Sequence, residues 1–151
     1  MKLSKNFKLE EFEYSKTAVE LDVPNSATPP IIKNLKALCV NLLQPLRTEL
    51  AIPIFISSGY RCLAVNQMVG GSETSKHMSG QAADIYSTRT TAYKLAQAII
   101  DMGLEFDQII LYPTFVHVSY IIPTQTKQNR KQVLYNSSYT GKKLKGTKKL
   151  S

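Results

Sequence analysis

The chain has 151 residues, 43% of them hydrophobic, which suits one domain with a core of its own. No apolar run approaches the roughly 20 residues that a membrane crossing needs, and Met1-Lys2-Leu3-Ser4-Lys5-Asn6 lacks the apolar stretch of a secretory leader. The net charge of +8 is unevenly placed: residues 1–120 hold eleven Lys/Arg and eleven Asp/Glu, whereas residues 121–151 hold eight Lys/Arg and no acid.

In chain order, Phe7-Lys8-Leu9-Glu10-Glu11-Phe12 reads as a short opening helix whose acids suit its first turn. A polar, proline-bearing stretch follows. Thr28 then offers an N-cap, with Pro29 and Pro30 in the first turn. Ile31, Leu35, Leu38, Cys39, Leu42, Leu46 and Leu50 recur at helical spacing and predict one long core-facing helix. Pro45 should bend it or end its first part, because proline removes a backbone donor. Pro53 to Ser57 is short, apolar and β-prone, a strand that leads into Ser58-Gly59-Tyr60-Arg61.

Leu63 to Val69 reads as a short helix stopped at Gly70-Gly71, followed by a loop to Ser75. Gln81 to Tyr86 reads as a strand, with Ala82, Asp84 and Tyr86 on one face and Ala83 and Ile85 on the other. Thr90 to Met102 has a helical apolar pattern ended by Gly103. Asp107 to Leu111 and Phe115 to Tyr120 are strands around Tyr112-Pro113-Thr114, a tight hairpin. On the second of them Phe115, His117 and Ser119 share a face, and Val116, Val118 and Tyr120 point toward the helices. The pattern predicts a single α+β domain: a small antiparallel sheet with helices packed on one face and ligands on the other.

The chemistry gathers at Ser75-Lys76-His77-Met78-Ser79-Gly80-Gln81-Ala82-Ala83-Asp84 and at Phe115-Val116-His117-Val118-Ser119, which hold the only two histidines. Two neutral imidazoles and one carboxylate are a recurrent ligand set for a catalytic zinc, with the fourth position left to water. On that reading His77, Asp84 and His117 are ligands of one Zn2+. The plain alternative is that both histidines are ordinary polar residues of a sheet. Cys39 lies on the apolar stripe of a helix and Cys62 follows Arg61, so they read as buried thiols and not as a disulfide framework.

The pattern S-x-H-x-x-G-x-A-x-D, met by Ser75, His77, Gly80, Ala82 and Asp84, resembles that of the M15 zinc peptidases. Ser57-Ser58-Gly59-Tyr60-Arg61 resembles the family's S-G-Y-R element, and Val116-His117-Val118-Ser119 its last block. The resemblance runs from about Phe7 to Tyr120. It implies zinc-dependent hydrolysis of amide bonds in peptidoglycan stem peptides, by a carboxypeptidase or an endopeptidase. It also implies that Arg61 contacts a substrate carboxylate or carbonyl and that Ser75 is a substrate hydrogen-bond donor. A turn serine bonding its own backbone is the plain alternative for Ser75.

Relatives often carry Glu or Asp three residues before the last histidine, where this chain has Thr114. With a three-residue hairpin loop, Ile109 pairs with His117 and Asp107 with Ser119, so Asp107 shares the metal face and can act as general base. With a two-residue loop the register moves by one and Gln108 takes that face. Glu73, on the loop before Ser75, is a further candidate. The same departure leaves room for an inactive relative that binds the cell wall.

Residues 1–124 are expected to form the peptidase-like domain and residues 125–151 a basic tail, partly disordered, with an edge strand or short helix around Arg130 to Tyr135. Its lysines with Tyr135 and Tyr139 suit anionic wall polymers, membrane surfaces or single-stranded nucleic acid, or simply a solvated terminus. Nothing implies an oligomer. Synthesis without a leader, with a wall substrate, resembles phage or prophage lysis enzymes, which reach the wall after release or in a particle.

Overall fold

Strand residues alternate between a core face and an open face, and that alternation sets the layers. The computed structural model describes residues 1–147; Lys148 and Lys149 of the basic segment lie outside the described residues. A ribbon of β1 (Lys2–Ser4) and β2 (Phe7–Lys8) is followed by α1 (Leu9–Glu13), α2 (Lys16–Leu21), α3 (Pro29–Leu38) and α4 (Gln44–Leu50). Then come β3 (Phe55–Ser58), α5 (Leu63–Met68), β4 (Ala82–Tyr86), α6 (Ala92–Asp101), β5 (Gln108–Leu111), β6 (Val116–Ser119) and β7 (Gln132–Tyr135). The five-stranded sheet has the order β3-β4-β6-β5-β7. Its first four strands are antiparallel, and β7 joins β5 in parallel at the edge.

Leu35, Leu38, Leu42 and Leu46 pack with Leu95 and Ile99 of α6 on one face of the sheet. They meet Ala83 and Ile85, Ile109 and Leu111, and Val116 and Val118, the inward residues of three neighbouring strands. Asp84 and His117 point the other way. The fold is a single α+β domain with the helical core on one face of the sheet.

The structure differs from the sequence pattern at several points, among them α2, which falls in a stretch where the pattern marks no element. Phe7 and Lys8 pair with β1, so the opening helix starts at Leu9; the Lys8 N–H donates to Glu11 Oε2 at 2.7 Å, the glutamate half of a capping box, since a lysine side chain cannot accept the return bond. The long helix does not break at Pro45. A π-helical turn, Cys39–Leu43, joins α3 to α4, and the Gln44 N–H reaches back to the Cys39 carbonyl. Pro45 has no N–H and its ring crowds the carbonyl four residues back, so the ladder widens by one residue.

The hairpin loop has two residues, not three. The Tyr112 N–H donates to the Phe115 carbonyl at 3.1 Å and the two rings stack 4.2 Å apart. Pro113 supplies the first φ of such a turn. The register is therefore Ile110↔His117 and Gln108↔Ser119, which corrects the pairing of Ile109 with His117.

The edge strand expected around Arg130 to Tyr135 forms as β7, and the chain beyond it is packed on the domain as well. β7 extends the sheet, Leu144 is buried in the core cluster, and the Leu144 N–H donates to the Tyr135 hydroxyl at 2.8 Å. The reason is local: the carbonyls of Phe106, Asp107 and Leu111 along β5 accept from the N–H groups of Lys131, Gln132 and Asn136. Without β7 that edge would lie open.

Candidate metal centre

Three segments bring the candidate ligands together. His77 sits in a single 3-10 turn, Lys76–Ser79, which neither periodicity nor composition predicts. Ser75 caps that turn, its Oγ accepting the His77 N–H at 3.2 Å, so the turn reading of Ser75 is realised; the residue also lines the cleft. Gly80 ends the turn at φ +74°, and a Cβ there would lie 2.7 Å from the Ile31 carbonyl oxygen. Asp84 and His117 are direct cross-strand partners on β4 and β6.

His117 Nδ1 lies 3.0 Å from Asp84 Oδ1, and His77 Nε2 lies 3.2 Å from His117 Nδ1 and 3.3 Å from Asp84 Oδ1. An ion held tetrahedrally at about 2.0–2.1 Å has its ligand atoms roughly 3.3 Å apart. The observed triangle has that size. His77 Nδ1 donates to the Gly59 carbonyl at 2.7 Å, which leaves the lone pair on Nε2 directed at the other two atoms. Converging lone pairs and an anionic oxygen suit a cation between them, so the residues fit the group.

Burial works to raise the Asp84 carboxyl. In the metal-free protein, where the two imidazoles can carry protons toward Asp84 instead of lone pairs toward an ion, the hydrogen bonds and charges of His117 and His77 outweigh it and hold the group well below the usual carboxylate range. The second oxygen, Oδ2, lies 3.6 Å from Arg61 Nη2. Arg61 is fixed by Ser58 Oγ at 3.2 Å and Asn66 Oδ1 at 3.4 Å, and its N–H donates to the His77 carbonyl at 3.1 Å. The S-G-Y-R loop therefore holds His77 from two sides and places a guanidinium beside the metal site.

The three ligands and Arg61 line a cleft of ≈ 600 Å³, together with Ser75, Lys76, Gln108, Ile110, Tyr112 and Arg130. Among the described residues Asp84 is the one carboxylate in its wall. Asp107 does not join the cluster, because the two-residue hairpin loop gives the metal face to Gln108. Its carboxylate is buried and taken by Arg130: Nη2 at 2.8 Å, and Nε and the backbone N–H at 3.1 Å each. Glu73 is exposed and Thr114 lies at the hairpin tip; neither lines the cleft.

The sequence reading missed the Gly59 carbonyl, Asn66, Tyr112, and the roles of Lys76 and Arg130 as cleft residues. Lys76 had a signal in its position next to His77. Arg130 had none, since only the register of β7 carries it to the cleft.

Two imidazole nitrogens and a carboxylate oxygen around one point, in an open cleft of an α+β domain, define a candidate metallohydrolase centre. Comparison with protein families matches residues 5–119 to Peptidase M15. The match covers most of the chain and includes His77, Asp84 and His117: the chain belongs to the M15 peptidase family and is a metallopeptidase. No curated protein matches it.

Proposed function

We propose that the protein hydrolyses amide bonds in peptidoglycan stem peptides with one zinc ion held by His77, Asp84 and His117. The observation that carries this reading is the triangle of donor atoms, 3.0 to 3.3 Å on each side. When bound, zinc lowers the pKa of a water from 15.7 to about 7 and polarises the carbonyl under attack. The chain supplies the rest. The Gly59 carbonyl keeps His77 in the ligating tautomer. Arg61 presents a planar, permanently charged donor for a substrate carbonyl or carboxylate.

The test is digestion of purified wall fragments by the zinc-loaded protein, with mass analysis of the products and chelator as control. Cleavage that stops with chelator, returns with zinc and is lost in His77→Ala, Asp84→Ala and His117→Ala is expected. Absence of new termini in any fragment overturns the reading. One observation favours a second reading: no carboxylate other than Asp84 lines the cleft among the described residues. A relative that binds wall peptides without turnover would look the same, and would retain the peptides in the digestion test without cutting them. In either case the protein would meet the wall after lysis or in a phage particle, and the basic C-terminal segment would favour anionic wall polymers.

A further inference from the structure

Among the described residues three cations line the cleft: Arg61, Lys76 and Arg130. Arg61 faces Asp84, but the other two meet at a different carboxylate. Arg130 Nη2 lies 2.8 Å and Lys76 Nζ 3.8 Å from the same oxygen, Asp107 Oδ2. Asp107 is buried, whereas the Arg130 side chain is 54% and that of Lys76 34% exposed. Arg130 spends Nε and Nη2 on Asp107. Among the described residues its Nη1, and the Lys76 ammonium, have no hydrogen-bond partner.

Two cations around one anion leave an excess charge of +1, and it lies in the wall of a cleft built to hold a dication. Such a cleft concentrates anions. A guanidinium locked along one edge offers its remaining N–H groups in a fixed plane, which matches a carboxylate, and an ammonium beside it adds charge. Arg130 also lies beyond the residues matched to the family, 5–119, in the connection that leads into β7. The pair is thus assembled by this chain's own C-terminal segment.

We propose that Arg130 and Lys76 form a carboxylate-binding subsite beside the metal centre, held in place by Asp107, and that it selects peptides with a free carboxylate near the scissile amide. The proposal rests on the peptide-hydrolase reading above. In a stem peptide with lysine at its third position the free carboxylate is either the C-terminal one or that of the interior glutamate. Asp107 is then a positioning residue: it orients Arg130 and touches no reacting atom.

The test uses the zinc-loaded full chain and three synthetic forms of one stem peptide. These are the free acid, its C-terminal carboxamide, and a form whose interior glutamate is replaced by isoglutamine. KM and kcat are read from product formation, and binding is read by calorimetry on the same protein. One of the two amides should bind about tenfold more weakly than the acid or worse, with kcat changed little, and which amide does so names the source.

The preference should shrink toward unity in Lys76→Gln and in the double variant Asp107→Asn/Arg130→Gln. That double variant keeps a neutral hydrogen-bonded pair and leaves no lone buried carboxylate; thermal melting verifies its fold. Equal binding of all three peptides, or a preference unchanged in both variants, overturns the subsite. Carboxylate-dependent binding without hydrolysis sinks the peptidase reading and leaves the subsite standing.

Discussion

Replacing Gly59 by Ala tests whether the S-G-Y-R loop is the outer support of the metal. A Cβ on Gly59 would lie 2.6 Å from Phe12 Cα and 2.7 Å from its carbonyl oxygen, both backbone atoms that cannot turn aside. Ordinary carbon contact needs roughly 3.5 Å, so the loop must retreat by about 0.8 to 0.9 Å. The Gly59 carbonyl now sits 2.7 Å from His77 Nδ1. That retreat stretches the bond to roughly 3.5 Å, beyond useful hydrogen-bond range. The adjoining Tyr60 N–H bond to the Phe12 carbonyl, 2.7 Å long, is strained with it.

Overpacking costs about 1–3 kcal/mol, and a weakened backbone bond adds about 1 kcal/mol. A chain of this length should therefore melt roughly 5–10 °C lower without metal. Loss of the bond that orients a ligating imidazole should weaken zinc binding by about 10- to 100-fold. Competition with a chelating indicator reads the affinity, and calorimetric melting with and without zinc reads the stability. A Gly59→Ala protein with wild-type zinc affinity would refute the role assigned to this loop, whatever its melting temperature.

Three further outcomes follow from the same structure. Asp107→Asn should keep kcat within about tenfold of wild type, whereas removal of a general base costs about 10²–10⁴; steady-state kinetics on a cleaved wall peptide separates the two. Burial opposes ionisation of Asp107, but its hydrogen bonds and charge pairing with Arg130 and the charge of Lys76 win and hold it below its ordinary value. Its folded pKa is thus lower than its unfolded one, so its contribution is complete above about pH 4 and declines as the pH falls further. Urea unfolding of the metal-free protein should show that decline, and Asp107→Asn should flatten it. Leu144→Ala should cost about 2–3 kcal/mol, because Leu144 is 6% exposed within the core cluster; an unchanged melting curve would mean that the C-terminal segment is not docked on the core.

Patterns of short range carried much of the fold. Leu35, Leu38, Leu42 and Leu46 mark a core-facing helix because 3.6-residue periodicity puts them on one stripe, and Pro45 altered that helix without breaking it. Two-residue periodicity likewise put Val116 and Val118 inward and His117 outward. The three candidate ligands were picked out for a different reason. The chain has two histidines, and the M15-like motif singled out His77, Asp84 and His117 without giving the shape of the 3-10 turn that carries His77.

What the sequence by itself determined, then, was which residues share a face and which side chains have the chemistry to hold a metal. Tertiary structure alone decided how neighbouring segments are offset. Parity along a strand says nothing of register, and a loop shorter by one residue moved Gln108 to the metal face and left Asp107 to pair with Arg130. The strand expected around Arg130 to Tyr135 joined the edge of β5 in parallel and so brought Arg130 to the cleft; which strand it pairs with, and in which direction, depends on geometry between distant segments that no local pattern records.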